Sequence, residues 1–245
     1  AYALYSLSDE WVIKGGAGKA FKAPTLAQSS EGFSTTACRG ACQVIGNPDL
    51  KPETSVSYEL GTAYNADRFG AGVTGFHNEI EDLIQSDQWG PGYRPTVMTY
   101  LNVKEARIKG LELTGWVDVL DNVKLTGNFT LLDSEDRSTG DDLAKTPDHT
   151  GNLGLDWQAS ELVSANLAWQ YVGSQVIKVP ARNSQAFTSK HYQTLDVNTN
   201  WTVTPALNFK LGITNLTNTQ RDEVATDADF ILEGRTVYAG VDYKL

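Results

Sequence analysis

Apolar and polar residues alternate one by one along most of this sequence. In the segment 54–65, for example, Val56 and Leu60 fall on one side of an extended chain, while Ser57 and Glu59 fall on the other. A two-residue repeat is typical of a β-strand with one apolar face and one polar face. The repeat predicts eleven strands, at residues 2–7, 11–22, 54–65, 69–85, 97–119, 123–133, 150–158, 162–175, 193–203, 206–217 and 235–245.

The predicted connections alternate in length. Tight turns are expected at residues 8–10, 66–68, 120–122, 159–161 and 204–205, and long loops at about 23–53, 86–96, 134–149, 176–192 and 218–234. Short turns at one end and long loops at the other are typical of transmembrane β-barrels, whose long loops face the outside of the cell. A soluble β-sandwich is the alternative fold, but its apolar faces would meet in the interior. The regular Asn, Asp, Lys and Gln residues of the polar faces favour a barrel with a water-filled interior.

The number of strands indicates that the barrel is incomplete. The first and the last predicted strands run in the same direction, so they cannot close an antiparallel barrel, and single-chain bacterial barrels normally have an even number of strands. Barrels of roughly 22 strands enclose a plugged lumen, and the strands predicted here make up about half of one. We therefore expect residues 1–245 to be the C-terminal part of a larger barrel whose other strands lie upstream.

Charge and hydropathy narrow the choice of partners. The chain has 30 acidic and 20 basic residues and a net charge of −10. This balance argues against nucleic acid as a partner, because nucleic acid binding requires a basic face. No apolar run approaches the roughly 18 residues of a transmembrane helix, so a membrane would have to be crossed by strands.

The two cysteines, Cys38 and Cys42, lie together in the first long loop. No adjacent His or second Cys pair completes a tetrahedral metal site. Two thiols on an exposed loop outside the cytoplasm are expected to be oxidised to each other. In the chain-entropy model, closing so small a ring restricts the unfolded chain by roughly 2 kcal/mol. We therefore predict a disulfide that holds the loop in shape.

No residue pattern supports catalysis or a cofactor. The segment 70–75 matches the dinucleotide pattern G-x-G-x-x-G, but that site requires a helix after the glycines, and a strand follows here. The histidines His77, His149 and His191 are far apart, and no nucleophile motif lies beside any of them. The enzyme alternative, an outer-membrane lipase, would need a triad assembled from distant strands. We predict no enzyme activity, no metal and no cofactor.

Short motifs in a fixed order connect these strands and loops. They are Phe21-Lys22-Ala23-Pro24, Asn47-Pro48-Asp49-Leu50-Lys51-Pro52-Glu53-Thr54-Ser55, Glu59-Leu60-Gly61, Phe76-His77-Asn78-Glu79-Ile80-Glu81-Asp82-Leu83-Ile84, Lys109-Gly110-Leu111-Glu112, Thr146-Pro147, Asn215-Leu216-Thr217-Asn218 and Gly234-Arg235. In order and spacing the sequence resembles the C-terminal half of a TonB-dependent outer-membrane receptor. The pair Cys38 and Cys42 ahead of the 47–55 motif, with 138–141 later, is most similar to the enterobactin-receptor and colicin-I-receptor branch.

The resemblance implies a location and a set of partners. The location is the bacterial outer membrane, and the activity is TonB-dependent uptake of ferric siderophores of the catecholate type. The implied partners are the TonB complex, outer-membrane lipid and lipopolysaccharide, the barrel assembly machinery, and bacteriocins or phages. The alternatives are a related receptor for cobalamin, haem or an oligosaccharide, a passive porin, and a surface recognition barrel.

The sequence also departs from this family in two places. The plug domain and the N-terminal TonB box of such receptors have no counterpart in these residues, so contact with TonB is expected through the missing N-terminal region. The last strand carries the assembly signal at Val241, Tyr243 and Leu245, and it ends in leucine where the family usually has an aromatic residue.

Basic and aromatic residues in the long loops are the candidate ligand site. A ferric tris-catecholate is a trianion with aromatic faces, to which guanidinium groups offer charge and planar donors, and to which aromatic rings offer stacking. Cations at the mouth of an otherwise acidic protein would also focus such an anion inward. Arg94, beside Tyr93 and Trp89, and Arg137 are the leading candidates. The others are Arg39, Lys178, Arg182, Lys190 and Arg221.

Overall fold

The chain folds into a large antiparallel sheet. The computed structural model describes residues 1–37, 40, 42–88, 97–178, 186–220 and 232–244. The strands in these residues are β1 (Tyr2–Ser6), β2 (Trp11–Lys22), β3 (Ser34–Ala37), β4 (Cys42–Ile45), β5 (Glu53–Asn65), β6 (Phe69–Gln88), β7 (Val97–Leu120), β8 (Val123–Asp136), β9 (His149–Gln158), β10 (Val163–Val172), β11 (Gln175–Lys178), β12 (Ala186–Ser189), β13 (Tyr192–Thr204), β14 (Leu207–Thr214) and β15 (Thr236–Tyr243). A single turn of helix, α1 (Leu26–Ser29), follows the N-cap Thr25. Within the described ranges no helix has the length and apolarity to cross a membrane.

The main sheet has the strand order β1-β2-β5-β6-β7-β8-β9-β10-β13-β14-β15, and each strand pairs antiparallel with the next. These are the strands that the alternating pattern predicts, and the predicted all-β antiparallel class is confirmed. The boundaries agree to within a few residues. The largest differences are three residues: β6 and β8 continue beyond their predicted ends, and β10 and β14 stop before theirs.

Four short strands were not predicted, because the segments that form them were assigned to loops. The hairpin of β3 and β4 pairs Ser34 with Ile45, and β4 then runs parallel to the start of β7. The strands β11 and β12 form a separate two-stranded sheet. Each of the four has four residues, too few for the two-residue repeat to be recognised. Of the four, only β4 also pairs with a strand far along the chain, β7.

The register assigns every side chain of the main sheet to one of two faces, because directly paired residues point to the same side. Leu60 pairs with Gly75, Gly75 with Leu111, and Leu111 with Leu131, which marks the apolar face. We call this the oily face. Its leucines stay largely exposed, as shown by the 68% exposure of Leu60. The oily face therefore does not pack against another described part of the chain, as it would in a β-sandwich.

The opposite face, the polar face, carries the alternating hydrophilic residues. Grooves of about 610, 610 and 650 Å³ lie along it. Hydrophilic residues on one face and exposed leucines on the other match a barrel wall, which is polar inside and apolar where it meets lipid.

The buried apolar side chains concentrate at the long-loop end. One cluster consists of Cys42, Val44 and Met98, against which Ala37 and Tyr100 pack. Its members come from the β3–β4 hairpin and from the start of β7. This small core fixes the first long loop to the sheet.

Candidate functional site

The motif at residues 47–54 holds the base of the first long loop against the sheet. Pro48 and Pro52 remove backbone donors and exclude regular structure there. The Asn47 side chain accepts a hydrogen bond from the backbone N–H of Asp49 at 3.0 Å, which closes a tight turn. Its Nδ2 also donates to the backbone oxygen of Tyr100 at 2.8 Å. Asn47 therefore joins the loop to β7.

Asn102 makes the second connection between this loop and the sheet. Its Oδ1 accepts from the backbone N–H of Lys51 at 2.9 Å, and its Nδ2 donates to the backbone oxygens of Lys51 at 3.0 Å and Asp82 at 2.6 Å. One amide group on β7 thus connects the motif to the part of β6 near the long loops. Sequence reasoning missed Asn102, because it lies about fifty residues from the motif and no local pattern distinguishes it.

Glu53 provides the third connection. Only 8% of this residue is exposed, although it carries a carboxylate. Oε1 accepts the backbone N–H of Ile84 at 2.8 Å, and Lys22 Nζ lies 3.0 Å from Oε2. A buried carboxylate is tolerated only with such partners. The motif therefore anchors the base of the loop, and its residues Leu50 and Thr54 lie between or beside these anchors.

The disulfide prediction involves one described residue. Cys42 is disulfide-bonded and 5% exposed, at the start of β4. Cys38 is the other cysteine of the sequence and lies outside the described residues. Cys42 itself packs in the cluster with Met98, and the pairing with Cys38 that would hold the loop in shape stays a prediction.

The structure does not test the predicted ligand site as a group. Arg39, Trp89, Tyr93, Arg94, Arg182 and Arg221 lie outside the described residues. Lys178 is the last residue of β11, and Lys190 is exposed just after β12. These residues remain a prediction.

Arg137 is described, and it has a partner. Its Nη1 lies 3.8 Å from Oε1 of Glu79. The Nε2 atom of His77 lies 2.8 Å from the same oxygen. By register, Glu79 lies on the oily face, above the leucine row. Arg137 therefore belongs to a group of outward ion pairs, with Lys109–Asp133 at 3.2 Å and Arg107–Glu135. The exposed pairs of Arg137 and Lys109 contribute little stability, whereas the Arg107–Glu135 pair is partly buried. All three lie where the apolar band ends.

The last strand follows the predicted pattern at its described positions. Val241 pairs with Phe209 and Tyr243 with Leu207, all on the oily face. Val241 is 61% exposed and Tyr243 is 65% exposed. Leu245 lies outside the described residues, so its part in the assembly signal remains a prediction.

A metal centre is not found in the parts of the chain that the structure describes, where no three His, Cys, Asp or Glu side chains come together. His77, His149 and His191 are distributed over the outward face and its upper edge. His149 stacks on Tyr171 with ring centroids 5.2 Å apart, and His191 stacks on the same tyrosine at 5.6 Å. These three rings form an aromatic cluster at the long-loop end of the outward face.

Comparison with known proteins gives the relatives of this chain. Residues 1–216 match the family described as TonB dependent receptor-like, beta-barrel. The ferrienterobactin receptor of Escherichia coli is 33% identical over 227 residues, which cover 86% of this chain and 30% of that protein. The ferric enterobactin receptor PirA of Pseudomonas aeruginosa is 32% identical over 234 residues, covering 87% of this chain and 31% of that protein.

Solved structures agree with the sequence matches. A variant of the ferric enterobactin receptor from Pseudomonas aeruginosa, in complex with enterobactin, superposes with a TM-score of 0.77 at 26% identity, covering 99% of this chain and 40% of that one. The siderophore receptor PirA from Acinetobacter baumannii has a TM-score of 0.76 at 26% identity, with 98% and 40% coverage. The chain thus spans well under half the length of the relatives it matches.

Proposed function

The chain belongs to the TonB-dependent receptor β-barrel family, and from that premise we propose that it is part of a receptor that takes up ferric siderophores of the catecholate type. The observation that carries the proposal is the match to ferrienterobactin receptors over most of the chain, at 33% and 32% identity. Proteins of this family are outer-membrane barrels. The exposed leucines of the oily face are suited to contact with lipid.

The proposed work is binding and translocation, without bond chemistry. The relatives are named as receptors and transporters, which supports a non-enzymatic role. The ferric complex is the cargo and not a resident cofactor. Coupling to the TonB complex would use regions beyond these residues. Lipopolysaccharide, the assembly machinery, and bacteriocins or phages remain predicted partners.

Cargo recognition is proposed for the cations of the long loops. Arg94, with Tyr93 and Trp89, combines charge and rings in one loop, as a trianion with aromatic faces requires. One guanidinium nitrogen of Arg137 lies 3.8 Å from the Glu79 carboxylate, which offsets part of the charge that Arg137 could offer to an anion. We therefore rank Arg94 before Arg137. The described anchors at Asn47, Asn102 and Glu53 would hold the neighbouring loop base in place during binding.

The test measures binding and uptake of radioiron-labelled ferric enterobactin by the complete receptor, in cells that lack other catecholate receptors. Arg94→Glu should weaken binding by about ten- to hundredfold, the size expected for lost charge-assisted hydrogen bonds. Arg137→Glu should cause a smaller loss. Lys109→Gln is the matched control, because Lys109 pairs with Asp133 on the outer surface; its binding should be unchanged.

Three outcomes would contradict the proposal. Uptake that persists without TonB would indicate a passive porin. Uptake that is inhibited by cyanocobalamin and not by unlabelled ferric enterobactin would indicate a cobalamin receptor. The vitamin B12 transporter BtuB of Photobacterium profundum is 27% identical to this chain. Unchanged binding in Arg94→Glu would remove that residue from the site.

A further inference from the structure

We propose that Asn215 is a positioning residue for cargo binding, because it closes the base of the last long loop and fixes that base to the polar face of the sheet. This loop was predicted at about 218–234, and Asn215 follows directly after β14 in the motif Asn215-Leu216-Thr217-Asn218. The effect on binding rests on the proposed function, in which the long loops bind the cargo. The closure of the loop base is independent of it, so the two are tested separately.

The Asn215 side chain contacts both ends of the loop. Its Nδ2 donates to the backbone oxygens of Thr219 and Glu233, each at 2.9 Å, and its Oδ1 accepts the backbone N–H of Thr219 at 2.8 Å. Thr219 lies on the outgoing arm, which leaves β14, and Glu233 lies on the returning arm, which enters β15. Only 4% of Asn215 is exposed. One buried amide therefore joins the two arms, and it donates to both of them.

Asn218 adds a second link between the same arms. Its Oδ1 accepts the backbone N–H of Arg235 at 2.9 Å, and its own N–H donates to the backbone oxygen of Asn215 at 2.8 Å. Both asparagines have a positive φ, 48° for Asn215 and 54° for Asn218, a conformation that asparagine adopts more readily than most residues. The two asparagines of the motif thus combine a tight turn with amide groups that reach the returning arm.

Asp196 on β13 fixes the closed base to the sheet. Its Oδ1 accepts the backbone N–H of Asn215 at 2.7 Å, and the N–H of Leu216 donates to the backbone oxygen of Leu195 at 2.7 Å. Asp196 also lines one of the grooves of the polar face. The base of the loop is therefore held by β13 as well as by its covalent link to β14.

A closed base favours binding because ordering a loop costs conformational entropy. When the two arms are already joined, the binding step does not bear that cost, and the same contacts give a higher affinity. The closure lies beyond the last pair of the ladder between β14 and β15, which is Thr214 with Thr236. Removing the closure should therefore loosen the base of the loop and leave the barrel wall assembled.

Two variants open the base and keep its backbone conformation. Asn215→Gly removes the side chain at a positive φ that glycine tolerates. Asn215→Asp keeps the shape and the acceptor, but it places a carboxylate oxygen against the two backbone oxygens of the arms. Asn122→Asp is the matched control, because Asn122 also donates its amide to a backbone oxygen, that of Gln158 at 3.0 Å, but at the tight-turn end.

The first measurement needs no ligand. Spin labels on Gln220→Cys and Glu233→Cys, whose own side chains are exposed, report the distance between the two arms in the complete receptor. The distance distribution should be narrow in the parent and in Asn122→Asp, and about twice as wide in both Asn215 variants, because the arms then move independently. An unchanged distribution in Asn215→Gly would overturn the closure.

The second measurement is the affinity for radioiron-labelled ferric enterobactin at equal surface amounts of receptor. The affinity should fall about fivefold in both Asn215 variants, the factor that corresponds to the net contribution of one hydrogen bond. The control should stay within about twofold of the parent. Loosened arms with an unchanged affinity would overturn the positioning role. If the parent binds no ferric enterobactin, the proposed function fails and the role in binding fails with it, whereas the arm distances still decide the closure.

Rescue distinguishes positioning from a general loss of structure. In the Asn215→Gly background, a short bifunctional thiol reagent joins Gln220→Cys to Glu233→Cys and closes the base by another route. The linked receptor should recover most of the lost affinity, and the corresponding monofunctional reagent should recover none. A receptor whose arms are joined but whose affinity stays low would overturn the positioning role, because Asn215 would then act on binding in some other way.

Discussion

The buried carboxylate of Glu53 is the most informative single residue for the anchoring of the first long loop. Replacing it with alanine leaves the backbone N–H of Ile84 without an acceptor, in a position where Ile84 is 8% exposed. An unsatisfied buried donor costs about 1–3 kcal/mol, and hydrogen bonds to a charged group lie at the upper end of that range. The ion pair with Lys22 adds little, because the Lys22 side chain is 63% exposed. We expect a local loss of about 2–3 kcal/mol.

Hydrogen exchange measures this loss directly. If exchange follows local opening, a loss of about 2 kcal/mol accelerates it roughly thirtyfold at the Ile84 amide. The assay compares exchange in the complete receptor in detergent, for peptides covering Ile84 and for peptides of β13 as an internal reference. Glu81→Ala is the matched control, since Glu81 is exposed and its hydrogen bond from Thr54 is long, at 3.5 Å.

Unchanged protection at Ile84 in Glu53→Ala would refute the reasoning, because the hydrogen bond would then carry no stability. Equal acceleration in Glu81→Ala would refute it as well, since the effect would follow from charge alone. Faster exchange throughout β13 would show that the whole barrel is loosened, and the anchor would then not be local.

Two further outcomes follow from the packing. Asn102→Ala removes three hydrogen bonds that involve Lys51 and Asp82, and at about 1 kcal/mol each it should make the first long loop at least tenfold more sensitive to limited proteolysis; Asn122→Ala, at a tight turn, should not. Gly110→Ala places a methyl group onto the Leu131 backbone oxygen and should reduce the folded, heat-modifiable barrel severalfold, whereas Gly115→Ala, with an ordinary 3.5 Å contact, should assemble normally.

The long strands were predictable because their information is local. A strand that meets lipid on one side and water on the other must alternate at every position, so the two-residue repeat persists over ten or more residues in segments such as β5 and β13. The tight turns were predictable from the short gaps between these repeats. The pattern also predicted which face meets lipid, and the exposure of the leucines on the oily face confirms this.

The anchors and the short strands could not be predicted in this way. The parallel pairing of β4 with β7 and the triple role of Asn102 join residues that lie about fifty positions apart. The burial of Glu53 and the partner of Arg137 are also properties of neighbours from other strands. No local pattern carries such information, since the same residue types occur in solvated loops.

Alternation along the chain thus specifies how many strands form, which way they run and which side chains face lipid, because each of these depends on neighbours one or two positions away. Which carboxylates gain hydrogen-bond or ion-pair partners, and which loops are anchored to the sheet, depends on the register between strands. That register brings distant residues within hydrogen-bonding distance, and only the folded sheet defines it.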